Sequence, residues 1–495
     1  MMYGEEKSDS LIVAANLANN PQGAESVERR SGAKGNAEQP HMRRTQSRES
    51  MSQRLSRVRE AAKQRKKERF TALFHLLTAE ALENAFLSLS RKAAAGVDGV
   101  RWKDYAENLK VNIADLHRRL HQGSYRAQPG RRHYIPKADG KQRPLGIASL
   151  EDKIVQYALV KILNAVYEND FMGFSYGFRP GRSQHNALDA LATGLVRTNV
   201  NWVLDADISQ FFDKVSHEWL IRFIEHRIGD QRVIRLIRKW LTAGTSEEGE
   251  WRASEEGTPQ GAVISPLLAN IYLHYVFDLW AHQWRRRYAT GNVVMVRYAD
   301  DIVIGFDKRY DARRFRIAMQ RRLREFGLTV HPEKTRLMEF GRFAAENRAS
   351  RGKGKPETFN FLGFTHISGK DRSGRFMLIR KTRRDRMTAT LKAIKDGLRK
   401  RWHYSIPEQG KWLRRVVQGY LNYHSVPGNY PMMRKFRIYV TDLWRRALRR
   451  RSQQDDTTWT KANRLAAVWL PKVRVLHPWP VERFTARHPR QEPGA

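Results

Sequence analysis

Val293-Val294-Met295-Val296-Arg297-Tyr298-Ala299-Asp300-Asp301-Ile302-Val303-Ile304-Gly305-Phe306 is the stretch that decides the fold. Two runs rich in β-branched and other apolar residues flank a pair of adjacent carboxylates. The pattern predicts a β-hairpin whose tight turn presents acid at the end of a buried sheet. A bare Asp-Asp pair also suits a solvated turn. Between two apolar strands, however, side-by-side carboxylates are unfavourable unless a cation neutralises them, and hard oxygen ligands suit a divalent metal such as Mg²⁺.

A second acid-bearing strand lies upstream. Trp202-Val203-Leu204-Asp205-Ala206-Asp207-Ile208 reads as a buried strand ending in acid. Adjacent strands lie about 4.8 Å apart, so Asp207 is expected to face Asp300 across an antiparallel pair. Asp301 is expected as a third member pointing differently. Two carboxylates so placed form the core of a metal-dependent nucleotidyl transferase, in which two ions can clamp both oxygens of an in-line phosphoryl displacement. Asp205 and Asp213 compete for the role: Asp205 shares strand parity with Asp207, whereas Asp213, after two phenylalanines, is expected to cap the next helix.

Composition narrows the partner. The 495 residues include 91 Lys+Arg against 51 Asp+Glu, a formal charge of +40. Such a field favours a polyanion and makes binding fall steeply with salt. No run approaches about 18 apolar residues, which disfavours a membrane-spanning segment. There is no cysteine, so disulfides and Cys-containing zinc sites are excluded, and any metal must sit on oxygen or on some of the 16 histidines. The polar start MMYGEEKSDS has no apolar signal core, and a reducing cytoplasm is the expected compartment, with nucleoid association when the protein is on DNA.

Along the chain, residues 1–50 read as a mobile polar segment. Residues 51–130 read as a basic helical extension, with a helix from Ser52 to Lys67 and a packed helix carrying Phe70, Leu73, Phe74 and Leu77. Tyr134 to Ile147 reads as strand, Asp-Gly turn, strand. Helices are expected at 113–120, 154–166, 219–228, 233–241, 265–280 and 311–326. Arg348 to Lys355 reads as a flexible connection. A boundary is placed near Arg380, giving a mixed unit at 131–380, a basic helical unit at 381–455 and a basic tail at 456–495. The helical unit is studded with Trp402, Tyr404, Trp412, Tyr420, Tyr423 and Trp444. Each of these rings is expected chiefly in helix packing, with stacking on unpaired bases as the alternative.

In order, RPLGIASLEDKIVQ, YGFRPGRSQHNAL, DADISQFFD, GTPQGAVISPLLANIYL, RYADDIVIGF, GLTVHPEKT and FNFLGF resemble the successive blocks of bacterial group II intron-encoded reverse transcriptases. The resemblance runs from about Ala95 through Phe364, and WLRRVVQGYLNYHSVPGN resembles the start of that family's thumb or maturase domain. It implies an α+β right-hand polymerase, with fingers and palm built on antiparallel sheet and an α-helical thumb.

Residue by residue, Asp207, Asp300 and Asp301 resemble the catalytic, metal-binding aspartates, and Ile208 the residue whose carbonyl touches the second ion. Phe212 resembles the bulky gate against a ribose 2′-OH. Lys137 and Arg143 resemble the finger residues that hold the triphosphate, and Gln260 resembles the loop beside the incoming nucleotide. The implied cofactor is a pair of Mg²⁺ ions, with Mn²⁺ as an alternative. The implied partners are group II intron RNA, a DNA target and primer, and deoxynucleoside triphosphates. Arg414, Arg415, Arg445 and Arg446 are the expected RNA contacts of the helical unit. Larger relatives carry a Cys- and His-containing HNH endonuclease after the thumb. The ending ARHPRQEPGA and the lack of cysteine lead to the expectation of no second-strand cleavage. Two other readings stand beside this one: a splicing chaperone with a vestigial polymerase site, and a domesticated relative in a host or phage-defence system.

Overall fold

The computed structural model describes residues 50–136, 142–451 and 457–487. Residues 1–49, within the segment expected to be mobile, lie outside that range, as do the turn of the Tyr134–Ile147 hairpin and Lys137.

Ser50 caps helix α1 (Met51–Gln64) through a capping box with Gln53. The packed helix expected around Phe70–Leu77 does not form. Asp230 accepts hydrogen bonds from the backbone N–H groups of Leu73 and Phe74, both 2.8 Å, and the Phe70 backbone pairs with residues 227–229. Those bonds hold the segment as an extended piece and a 3₁₀ turn, and the next helix begins only after the Thr78 cap, as α2 (Ala79–Ser88). Helices α3 (Trp102–Glu107) and α4 (Leu109–His121) follow.

Strands β1 (Gly130–Pro136) and β2 (Gln142–Ile147) pair antiparallel, with Pro136 opposite Gln142. Helix α5 (Leu150–Tyr167) is buried on most sides, and α6 (Gln184–Arg197) leads to β3 (Trp202–Asp207). The short α7 (Phe211–Lys214) precedes α8 (His217–Arg227) and α9 (Gln231–Thr242). Strands β4 (Thr245–Glu247) and β5 (Glu250–Arg252) extend the first sheet, in the order β2-β1-β4-β5, with β1 and β4 parallel.

The helix expected over 265–280 is longer and interrupted. It runs as α10 (Ser265–Leu273), a π-helical turn at His274–Asp278, and α11 (Leu279–Tyr288). Then come β6 (Val293–Tyr298), β7 (Asp301–Phe306), α12 (Arg309–Arg324) and β8 (Arg336–Glu339). Sheet order is β6-β7-β3-β8. Period-2 alternation sends Val203, Val296, Val303 and Met338 into one core with α6, and Leu204, Met295, Ile302 and Ile304 into another with α5, α10 and α12. The sheet is covered on both faces, which is why its strands read as nearly continuous apolar runs.

Residues 348–355, expected to be a flexible connection, begin in α13 (Ala344–Ala349) and are pinned by side chains: Arg348 donates to the Gly354 carbonyl at 3.0 Å, and Arg351 pairs with Glu339. A third sheet, β9 (Phe359–Phe361), β10 (Phe364–Lys370) and β11 (Phe376–Thr382), follows in the order β11-β10-β9. β11 carries Arg380 into the core, 3.7 Å from Asp189 of α6, and helix starts only at Arg384. Helices α14 (Arg384–Arg399), α15 (Ile406–His424), α16 (Tyr430–Arg449) and α17 (Trp459–Trp469) share a core around Leu413, Phe436, Val440 and Trp444. Residues 457–487, within the stretch expected to be a basic tail, are therefore folded. α17 belongs to that core, and α18 (Pro480–Arg487) returns to α6, burying Phe484 and joining Arg483 to Asp189. Among the described residues no helix is long and apolar enough to cross a membrane.

Candidate active site

In the β3–β7 pairing Asp207 stands opposite Asp301, and in the β6–β7 hairpin Tyr298 stands opposite Asp301. Directly opposed residues share a face, so the cross-strand partner of Asp207 is Asp301, with Asp300 in the turn; the sequence expectation had these two exchanged. The reason is turn length. Only Ala299 and Asp300 lie between the strands, which puts Asp301 at the first position of β7. Asp205, Asp207 and Asp301 share the face of Val203 and Val303, at the end of the sheet where α6 no longer covers it.

The carboxylates perturb one another. Burial, with Asp300, Asp207 and Asp205 around it, pushes the Asp301 carboxyl up to about 7, partly opposed by Lys334, although its rim keeps access to solvent. Burial also raises Asp205 to about 7, against the pull of Arg336 on β8. Lys334 donates its Nζ to Asp207 Oδ2 at 2.8 Å. A cation is thus already drawn to the acids. The end of β3 is clasped by the 329–335 segment: His331 N donates to the Asp207 carbonyl and Ser209 N to that of Thr329. These two bonds flank Ile208 and leave its own carbonyl out of the pairing.

Ala299 holds a left-handed φ of 57°, a conformation that costs a non-glycine residue about 1–2 kcal/mol. It is held from below. Arg297 donates to the Ala299 carbonyl at 3.0 Å, to both oxygens of Asp278 at 2.7 and 2.6 Å, to Asn270 and to Ser175. Gly177 lies against the turn, and a Cβ there would sit 2.3 Å from the Ala299 nitrogen. Sequence reading missed this scaffold, as it missed Lys334. The available signal was Arg297, a single charge inside an otherwise apolar strand and on its inward parity.

Phe212 is half-buried in α7, in edge contact with Phe178, whose ring in turn approaches Tyr298. Asp213 is not a cap: it lies within α7 and accepts from Gln260 Nε2 at 2.7 Å, while Ser216 caps α8. The Gly257–Gly261 loop bridges two parts of the molecule. Thr258 N donates to the Phe212 carbonyl, and the Gln260 carbonyl accepts from Gly146 N of β2 at 2.6 Å. Gly257, at φ 86°, has no room for a Cβ against Phe212 and Asp213. Arg143 lies in β2 opposite Ile135, on the strand that reaches this loop.

In the helical unit, Arg414 is committed to the carbonyls of Val468 and Trp469, where it closes the end of α17. Arg445 and Arg446 share Asp442, with Arg446 largely exposed, and Arg415 is exposed. Trp444 and Tyr420 are core residues, and Tyr404 is half exposed.

Among the described residues no three His, Asp or Glu side chains form a ready-made ion cage. The donor set nonetheless fits Mg²⁺, which is commonly held by one or two carboxylates with substrate phosphates completing the shell. Asp207 and Asp301 supply the carboxylates, and a bound cation would relieve the burial and acid crowding that raise the Asp301 carboxyl.

Residues 135–366 match the family described as reverse transcriptase (RNA-dependent DNA polymerase). Over 214 residues the chain is 43% identical to Protein YkfC of Escherichia coli K12, covering 42% of this chain and 55% of that protein. It is 37% identical over 223 residues to the group II intron-encoded protein LtrA of Lactococcus lactis, covering 44% of this chain and 37% of LtrA. With the putative COX1/OXI3 intron 1 protein of Saccharomyces cerevisiae the match extends over 393 residues at 26% identity, 66% of this chain and 46% of that protein. The aligned parts therefore span about half or less of these relatives. Residues 135–366 thus match a reverse transcriptase domain, and the chain is similar over part of its length to group II intron-encoded proteins.

Proposed function

We propose that the chain is an RNA-directed DNA polymerase that also binds group II intron RNA as a maturase and works as a ribonucleoprotein in splicing and retrohoming. The observation that carries the polymerase reading is the register that sets Asp207 against Asp301 at the open end of a sheet, with Asp300 beside them in the turn. In this reading β3, β6, β7 and β8 form the palm, β1 and β2 the fingers, and α14 to α17 the thumb.

Asp207, Asp300, Asp301 and the Ile208 carbonyl would hold two divalent ions, Mg²⁺ or alternatively Mn²⁺. When bound, such ions ease deprotonation of a primer 3′-OH and neutralise the charge of the departing pyrophosphate. Phe212, braced by Phe178, crowds the sugar position and favours deoxynucleotides. The loop carrying Gln260 spans from Phe212 to β2 and so fixes the floor of the nucleotide site relative to that strand; Arg143 and Lys137 are the proposed triphosphate ligands. Most of the acceleration then comes from positioning and charge neutralisation. Intron RNA and a primed DNA target are the proposed macromolecular partners.

The test is DNA synthesis on an RNA template with an annealed DNA primer. Wild type should extend with Mg²⁺ and stop with chelator, and Asp207→Asn and Asp301→Asn should each abolish extension while RNA binding persists. Near wild-type extension by either variant refutes the assignment. If wild type binds RNA and rescues intron splicing but never extends a primer, the protein is a splicing chaperone instead.

A further inference from the structure

The β6-β7-β3-β8 sheet has a second exposed flank, on the face opposite Asp207 and Asp301, formed by α11 and α12. α12 carries seven arginines in 16 residues. Its apolar side, Ala312, Phe315, Met319 and Leu323, is buried against the sheet, so the arginines are turned outward or to the helix flanks. The acids nearby are spent: Asp311 is buried and accepts from Thr290 and Gly291, and Glu325 pairs with Arg322 at 3.2 Å. Arg313, Arg321 and Arg324 are exposed. Among the described residues none of these three has an ion-pair partner.

Two hollows lie on the two flanks of this ridge. One is a groove of about 500 Å³ between α11 and α12, with Trp280, Trp284 and Tyr288 along one wall and Arg314, Ile317 and Arg321 along the other. Tyr288 and Ile317 are half exposed, and Trp284 is buried, packed edge-to-face on Phe315. The other is a notch of about 380 Å³ in which Arg316 and Arg324 face Ser209, Thr329 and Thr335. Thr335 is 4% exposed, and its hydroxyl has no partner among the described residues.

We propose that this flank is a second nucleic-acid surface, separate from the catalytic cleft, that takes an unpaired RNA segment. Flat rings flanked by guanidinium groups suit splayed-out bases with their phosphates alongside. The notch, with two arginines and a free hydroxyl, suits one phosphate. Strand parity puts the catalytic carboxylates on the other face, so a strand bound here is not the template–primer duplex. An acidic protein would match the charge but would leave the ring-lined groove unused. The proposal rests on the RNA-binding reading above.

The experiment uses the full chain with its cleft first saturated by an RNA/DNA primer–template, then titrated with an unstructured oligoribonucleotide at several salt concentrations. The variants are Arg313→Gln/Arg321→Gln/Arg324→Gln, which keeps helix propensity, and Tyr288→Ala. Each phosphate contact on a single strand contributes a salt slope of about 0.7, or about fourfold in affinity between 1 M and 0.15 M salt. The triple variant should therefore lose about 2 from the slope and about fiftyfold in affinity at 0.15 M. Tyr288→Ala should lose at least about fivefold. Extension of the bound primer should be unchanged in both. Unaltered RNA binding in both variants overturns the proposal and leaves a protein partner or bare solvent for this face. Loss of extension in parallel with binding also overturns it, by placing the ridge in the template path. With the cleft occupied, a wild type that binds no oligoribonucleotide overturns this proposal alone, as does one that binds and extends beside unaltered variants, whereas a wild type that neither holds the RNA/DNA primer–template nor extends it overturns the polymerase–maturase reading.

Discussion

Neutralising Asp278 should cost more stability than changing any exposed charge, and should loosen the Ala299–Asp300 turn as well. Arg297 and Asp278 are both 0% exposed. All five guanidinium N–H groups are used: two on Asp278, and one each on Ser175, Asn270 and the Ala299 carbonyl. Burial pushes the Asp278 carboxyl up, and Arg297, bonded to both of its oxygens, pulls it back. Asp278→Asn keeps the shape but leaves Arg297 charged in the core and sets amide N–H against guanidinium N–H. Removing one member of a buried pair costs about 3–5 kcal/mol, which at about 2 °C per kcal/mol for a unit of this size lowers Tm by about 6–10 °C. The control is Glu218→Gln, which breaks an exposed pair with Arg222 on α8 and should cost at most about 0.5 kcal/mol. Thermal unfolding gives the stability, and amide exchange at Ile302 and Val303 reports whether the hairpin loosens. If Asp278→Asn lies within about 1 kcal/mol of wild type, or matches Glu218→Gln, the scaffold beneath the turn is not what holds it.

Gly177→Ala drives a Cβ into backbone at the Ala299 nitrogen, which cannot step aside as a side chain would. A shift of about 1 Å in the acids can cost about 10²-fold in extension rate, and unchanged kinetics would show that the turn has slack. His274 and His366 are buried, and burial lowers both to about 3. They stay neutral in the fold while the unfolded chain protonates below about 6.5. Stability is therefore complete above that pH and lost as pH falls toward 3, by about 2 kcal/mol per residue at pH 5. His366→Phe, which keeps a ring stacked on Phe359, should remove its share of the difference in Tm between pH 7.5 and pH 5; an identical pH dependence contradicts this. Phe484→Ala removes the buried anchor of α18 and should cost about 3–5 kcal/mol locally. Limited proteolysis should then cut between α17 and α18, and resistance equal to wild type would mean that Arg483 and Asp189 hold the helix without it.

Local pattern was enough to place the strongly periodic elements and the acids they carry. Val293–Phe306 folds as the expected hairpin and Trp202–Asp207 as the expected strand because buried strands flanked by turn residues admit few alternatives. The basic composition and the ordered blocks pointed to the reverse transcriptase domain that residues 135–366 match. Tertiary pairing settled which aspartate meets Asp207, because one residue of turn length exchanges Asp300 and Asp301 and no local propensity fixes it. It also decided against a helix at Phe70–Leu77, where a carboxylate more than 150 residues away captures the backbone donors. Asp213 was read as a cap from its neighbours in sequence, yet its partner Gln260 comes from a distant loop. Residues 457–487 lie in the stretch read as a basic tail, although their apolar content is no lower than that of the chain as a whole. They fold because Phe484 and Arg483 find a pocket and a counter-ion already built on α6, and that complementarity is a property of two surfaces that one stretch of sequence does not encode.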